Sequence, residues 1–448
     1  MRIIKKAKIV LFIAGVICIN QLLSFCLCPI GGASEVMWRD YGKTEEIDTV
    51  YVGSSVCLRA FDPYTIDELL GTESFNMGTP SQPLQQSYLS VKTAIKEHKL
   101  KRVVLGLGYF SLNAEADANA LIANWQASKK HAPITEKIRS ALEIMLSKSY
   151  RNTEDSINFF CPWIYNRVAL HRSDIVNNVK QKLAGKTADD DKMVNDEQRQ
   201  YVGRGFGYYK GTVDFDKVGN KNSKTTYDYG EQKDAYGFLG KIVKLCKKNN
   251  VELIVIHTPH PVFDVISYGE EYFVKYDRLK DFFNEKGVDY YDFNLAKPEL
   301  YESRNEYYSD FEHLNKEGAE VFSKAFVALM KMRSENVDLE QYFYDKDAYL
   351  DSINYITNTW FDAAQSGTEL TLQAGAYHGN NVSVEYEFEA VDLVSGEYQT
   401  IQQYSESNVC TIDAEQYAGQ TVTFRVNVRQ PGSEEAFEHY YESAVVIP

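Results

Sequence analysis

Four short apolar runs alternate with amphipathic stretches through most of the chain. The runs cover 48–52, 102–107, 251–257 and 288–293, and each is bounded by polar or turn residues. Between and after them, apolar positions recur at helical spacing over 84–98, 235–247, 272–284 and 316–332. Leu239, Ile242, Val243 and Cys246 share one face of the second helix, and Val321, Phe322, Phe326, Leu329 and Met330 fall on the last. Strands alternating with helices predict a parallel sheet covered on both faces. The alternation lapses between 113 and 233, where helical segments over 134–148 and 173–183 and a charged run over 188–196 read as an insertion. Its end, Arg204 to Gly211, is rich in glycine and tyrosine and fits either a cleft-shaping element or a packed hairpin.

From Thr368 the period changes to two. Runs at 369–373, 382–388, 398–403, 421–428 and 440–447 are separated by Gly375, Gly379, Gly396, Gly419 and Gly432, a pattern that predicts a β-sandwich of Ig-like architecture over 359–448. A charged bridge over 336–358 reads as a linker. At the other end, Arg2, Lys5, Lys6 and Lys8 precede an apolar run from Ile9 to Cys28. About 20 such residues span a bilayer core as a helix. The run is long for a cleaved signal, so a retained anchor over 1–28 is expected, with the basic end cytoplasmic and the rest of the chain outside. Residues 29–46 read as a juxtamembrane linker carrying Trp38 as an interfacial anchor.

Composition narrows the partners. Forty-eight basic against 63 acidic residues leave a net charge of -15, and no basic aromatic stripe offers a track for nucleic acid. The seven cysteines include no CxxC pair, which points to neither a zinc site nor a disulfide framework. Tyrosine, at 32 residues, supplies broad faces with a polar tip of the kind carbohydrate surfaces use.

Two short segments carry chemistry. The first strand ends in Gly53-Ser54-Ser55, a turn-and-cap tripeptide that is also where an open α/β sheet would present a nucleophile. A serine needs a base. Asp310 and His313 stand three apart just before the last helix, close enough for the carboxylate to hold Nδ1 of the imidazole while Nε2 takes a proton. His257 and His260 follow the third strand and could also line a cleft, but Pro259 and Pro261 break the helical face a metal pair would use, so no metal is expected. Arg59 and Asp62 could bind substrate or support the first helix turn.

Taken together, Gly-x-Ser after the first strand and Asp-x-x-His-Leu-Asn-x-x-Gly before the last helix resemble the SGNH (GDSL-like) hydrolase superfamily. The resemblance implies a flavodoxin-like three-layer α/β fold over 47–335, with Ser55 as nucleophile, His313 as base, Asp310 as its orienter, and the N–H groups of Ser55 and Gly78 as oxyanion donors. The family's Gly-x-Asn block has no counterpart, because the second long strand runs into Gly106-Leu107-Gly108 without asparagine. One oxyanion donor is then either absent or supplied from elsewhere, for example by Asn76 or Gln82. With its N-terminal anchor and insertion the chain resembles membrane-anchored extracytoplasmic members that act beside membrane-bound O-acyltransferases on polysaccharides or teichoic acids. A simple secreted esterase and an inactive glycan- or partner-binding protein are the alternatives. None of these implies a cofactor.

Overall fold

The computed structural model describes residues 2–112, 118–129, 132–146, 158, 160–186, 195–215, 235–392 and 395–448. Most of the charged run at 188–196, and the end of the helix expected to reach 148, lie outside these residues. The chain forms two compact units, one of residues 1–210, 229–256 and 286–289, the other of 211–228, 257–285 and 290–448.

The first unit is built on strands β1 (Thr49–Gly53), β2 (Ser74–Asn76) and β3 (Arg102–Leu107), with β1 parallel to both neighbours. Every residue of β1 is buried, as expected when helices cover both faces of a parallel sheet. Helices Leu84–Glu97 and Ala235–Lys248 pack on each other here. The second helix buries Leu239, Ile242, Val243 and Cys246, the face read from the sequence. With β6 (Glu252–His257) and β7 (Asp289–Asp292) the strand order is β2-β1-β3-β6-β7. Strand β2 has only three residues, too few for a period to show, and went unrecognised in the sequence.

The insertion contributes helices Ala118–Ser128, Ile134–Met145 and Arg172–Leu183, then strands β4 (Arg199–Gly203) and β5 (Phe206–Tyr209). These two strands form the packed hairpin. Their two-residue turn, Arg204-Gly205, has positive φ at both positions, the type I′ geometry that matches strand twist. Gly205 is required there, since a Cβ would lie 1.7 Å from the Asn76 carbonyl oxygen.

The segment expected as a juxtamembrane linker instead holds helix Ala33–Tyr41, with Val36, Met37, Trp38 and Tyr41 buried. Trp38 donates its indole N–H to Asn124 Oδ1 at 3.3 Å, so it packs inside the unit and is no interfacial anchor. Before it, helix Arg2–Leu27 exposes Leu11, Phe12, Ile13, Val16, Ile17, Ile19 and Leu22. Among the described residues, no helix is long and apolar enough to cross a membrane. Its last turns are held by the insertion. Asn178 donates to the carbonyls of Cys26 and Cys28 at 2.9 Å each, and Trp163 donates to Asn20 Oδ1 at 2.8 Å.

In the second unit, helices Val262–Ser267, Glu270–Asn284 and Lys316–Ser334 precede a bridge that is itself ordered. Helix Lys346–Ser352 is capped by the Asp345 carboxylate and buries Tyr349, and strand β8 (Ile356–Ser366) starts inside the expected linker. It pairs with β9 (Glu369–His378), which pairs with β12 (Val409–Asp413). The other sheet runs β11 (Tyr398–Ser405), β10 (Glu385–Val391), β13 (Thr421–Arg429), β14 (His439–Val446). All pairs are antiparallel, and Phe361, Leu370, Leu372, Phe388, Phe424 and Val426 share the core.

Candidate functional site

Ser55 opens helix Ser55–Ala60, with Ser54 in extended geometry at the N-cap. As the first helical residue, Ser55 contributes an N–H that no intrahelical carbonyl can take. The turn beneath it exists only because two glycines meet. Gly53 and Gly106 are register partners on β1 and β3, and a Cβ on Gly53 would stand 2.2 Å from the Gly106 carbonyl oxygen and 2.7 Å from Cys57 Cβ. Gly106 therefore serves close approach, where the family pattern leads into an asparagine. Burial pushes the Cys57 thiol far up, so it is an inert packing group beside the serine.

Three residues assigned to the oxyanion region are committed elsewhere. Asn76 is fully buried at the end of β2, and its Nδ2 donates to the carbonyls of Cys57 at 3.0 Å and Phe61 at 2.9 Å. Its Oδ1 accepts the N–H of Gly78 at 2.9 Å. Both Asn76 and Gly78 thus hold the short helix against the sheet instead of facing substrate. Gln82 is buried too. Its Oε1 accepts the Thr79 hydroxyl at 2.7 Å and its Nε2 donates to Ser87 Oγ at 3.2 Å, while Thr79 Oγ1 accepts from Asn124. That chain of bonds ends at Trp38 and serves packing.

Arg59 is likewise structural as arranged. Its guanidinium is buried 4.3 Å from the centre of the Tyr209 ring on β5, a cation–π contact that seats the hairpin. Asp62 caps helix Pro63–Leu70 by accepting from the Tyr64 N–H at 3.0 Å and the Thr65 hydroxyl at 2.8 Å.

In the second unit, Asp310 and His313 meet as the spacing predicts. Nδ1 of His313 lies 2.9 Å from both carboxylate oxygens of Asp310. Oδ1 also accepts the backbone N–H groups of Glu312 and His313 at 2.9 and 2.8 Å. Burial raises the Asp310 carboxyl, but the bond and charge of His313, helped by these N–H groups, outweigh it and hold the acid below its ordinary value. The remaining motif residues set the loop. Asn315 caps helix Lys316–Ser334 through the Gly318 N–H at 3.0 Å, and a Cβ on Gly318 would fall 2.2 Å from the Tyr307 carbonyl oxygen. An ionised carboxylate on Nδ1 fixes the tautomer in which Nε2 is the basic nitrogen.

Two further histidine–carboxylate pairs lie in this unit. His257 Nδ1 is 3.1 Å from Asp292, which also accepts the Tyr272 hydroxyl at 2.7 Å, and His260 Nδ1 is 3.0 Å from Asp264. Both rings are buried, with Nε2 lacking a hydrogen-bond partner. Asp292 lies 35 residues beyond His257 and carries no spacing signal, which is why the sequence did not yield it. Among the described residues no group of three or more His, Cys, Asp or Glu could hold a metal ion.

No family model matches the chain, and no curated protein matches it. Among solved structures, a Bacteroides fragilis protein described as an acylhydrolase is 9% identical with a TM-score of 0.28, covering 66% of this chain and 94% of its own. A GDSL-like lipase from Bacteroides thetaiotaomicron is 10% identical, also at a TM-score of 0.28, covering 66% of this chain and 90% of its own. A two-domain esterase active on acetylated mannans is 10% identical with a TM-score of 0.26, covering 93% of this chain and 95% of its own. At these TM-scores the likenesses carry no weight for the chemistry of this chain.

Proposed function

We propose that the protein is an SGNH-type serine acyl-enzyme that moves or removes acyl groups on cell-envelope glycans or teichoic acids. Ser55 Oγ attacks the acyl carbon as His313 Nε2 takes its proton. The leaving alcohol then receives that proton, and water or an acceptor hydroxyl, deprotonated by His313, releases the acyl group. The observation that carries this reading is the two-oxygen grip of Asp310 on His313 Nδ1, with both atoms pairs at 2.9 Å. The position of Ser55 supports it, as the first residue of helix Ser55–Ala60 directly after the carboxyl end of β1, where open α/β sheets place their sites.

With Gly78 bonded to Asn76 and no asparagine at 106–108, the set of oxyanion donors is thin. One such donor is worth about 2.7–4 kcal/mol of transition-state stabilisation, so slow hydrolysis and transfer to a positioned acceptor fit better than rapid ester turnover. The same observation favours the second reading, a non-catalytic binding protein. The exposed apolar side chains of helix Arg2–Leu27 support membrane anchorage, with the bulk of the chain outside the cytoplasm and a membrane-bound O-acyltransferase as the acyl source. Reaction of the purified protein with a fluorophosphonate probe, followed by assay on acetyl esters, separates the readings. Labelling that requires Ser55 and His313 supports the enzyme; its absence leaves the binding protein.

A further inference from the structure

The outward face of the β11-β10-β13-β14 sheet carries an array that core packing does not explain. Along β13, Phe424, Val426 and Val428 point into the core, so Arg425, Asn427 and Arg429 take the opposite face. Directly across from them on β10 stand Glu389, Glu387 and Glu385. Arg429 donates to Glu385 at 2.6 Å, and Asn427 Nδ2 donates to Glu387 and Glu389 at 3.1 and 2.8 Å. Over this polar layer lie four aromatic rings. Arg425 sits 4.0 Å from the centre of Tyr440, 4.5 Å from Phe437 and 5.0 Å from Tyr398, and Arg429 sits 3.8 Å from Tyr404.

We infer that this face is a glycan-binding platform for an uncharged polysaccharide chain. A ring propped on a guanidinium is held in place on one side, and its other side suits the C–H face of a sugar ring. Tyr398 is 37% exposed, and Tyr404, Phe437 and Tyr440 are half-buried, so the rings are supported without being covered. Between them the carboxylates accept, and the guanidiniums donate, the hydrogen bonds that hydroxyl groups need. A separate observation points the same way. Asn427 is 3% exposed, and its Oδ1 has no hydrogen-bond partner, an acceptor left over at the centre of the array.

Charge decides among ligands. Glu385, Glu387, Glu389 and Glu442 face Arg425 and Arg429, so four carboxylates against two guanidiniums leave the face net negative. Such a surface repels polyphosphates, nucleic acids and uronates and admits neutral sugars. The inference does not depend on the catalytic reading.

Affinity electrophoresis of the full chain in detergent, through gels carrying galactomannan, soluble starch or hydroxyethylcellulose, tests it. Retardation in at least one of these neutral gels is expected, with none in alginate. Tyr398→Ala and Tyr440→Ala should each weaken it about fivefold, and Tyr398→Phe should restore most of the loss, which separates ring stacking from misfolding. Absence of retardation in all three neutral gels, retardation untouched by either alanine variant, or tighter binding to alginate would overturn the platform.

Discussion

Asn76 Oδ1 accepts the N–H of Gly78 at 2.9 Å, and that one bond removes from the oxyanion region the glycine a family pattern would place there. The same carboxamide ties down the carbonyls of Cys57 and Phe61. Asn76→Ala should therefore destabilise the first unit by about 3 kcal/mol, since several buried backbone groups lose their partner together. Urea unfolding followed by tryptophan fluorescence measures it, and an unchanged midpoint would show that the groups re-pair locally.

Two buried pairs give the second unit opposite pH dependences. Burial raises the Asp292 carboxyl, but the charge and bond of His257, with Tyr272 and Asn294, outweigh it and hold the acid below 3.8. Its stabilisation is present above that value and is lost as the pH falls through the depressed one. Burial lowers His260, yet the bond and charge of Asp264, helped by Glu312 and Asp292, carry it above 6.5. That stabilisation is complete below 6.5 and is lost as the pH rises through the raised value. Melting temperature plotted against pH should fall on both sides. Asp264→Asn should flatten the alkaline limb alone, whereas Asp292→Asn should flatten the acid limb and, because Asp292 also helps raise His260, weaken the alkaline limb to a lesser degree; a variant profile parallel to wild type would refute the assignment.

Strand β8 begins at Ile356, and Ile356 and Phe361 belong to the core of the β-module. A fragment of 354–448 should melt cooperatively with β-type circular dichroism, whereas 368–448 should not, having lost an eleven-residue strand. If both fragments fold alike, β8 is an accessory to the module.

The exposed apolar helix makes a prediction about location. The protein should sediment with membranes, resist carbonate and salt, and be digested by protease added to intact protoplasts. Release into the soluble fraction on deletion of 2–27 would support anchorage; the full chain remaining soluble would contradict it.

What was legible in the sequence follows from what has a period or a short spacing. The long buried strands and the helix faces showed because burial repeats, as at Leu239, Ile242, Val243 and Cys246. Asp310 and His313 showed because three residues bring them into one loop. Strand β2 was too short, and β8 was masked by charge and polarity along its second half, where the burial pattern itself turns exposed. The true work of Asn76, Gly78 and Gln82 could not be read because their partners are backbone groups and side chains fixed only by the fold.

The central claim is that Ser55 carries the chemistry with His313 as base. The direct measurement is fluorophosphonate labelling of the purified protein and its Ser54→Ala, Ser55→Ala, His313→Ala and Asp310→Ala variants, with circular dichroism to establish folding. Wild type and Ser54→Ala should label. Ser55→Ala and His313→Ala should lose labelling almost completely, and Asp310→Ala should slow it by less, since it orients the base without transferring a proton. Folded Ser55→Ala that labels at the wild-type rate, or a wild-type protein that does not label at all, would contradict the account.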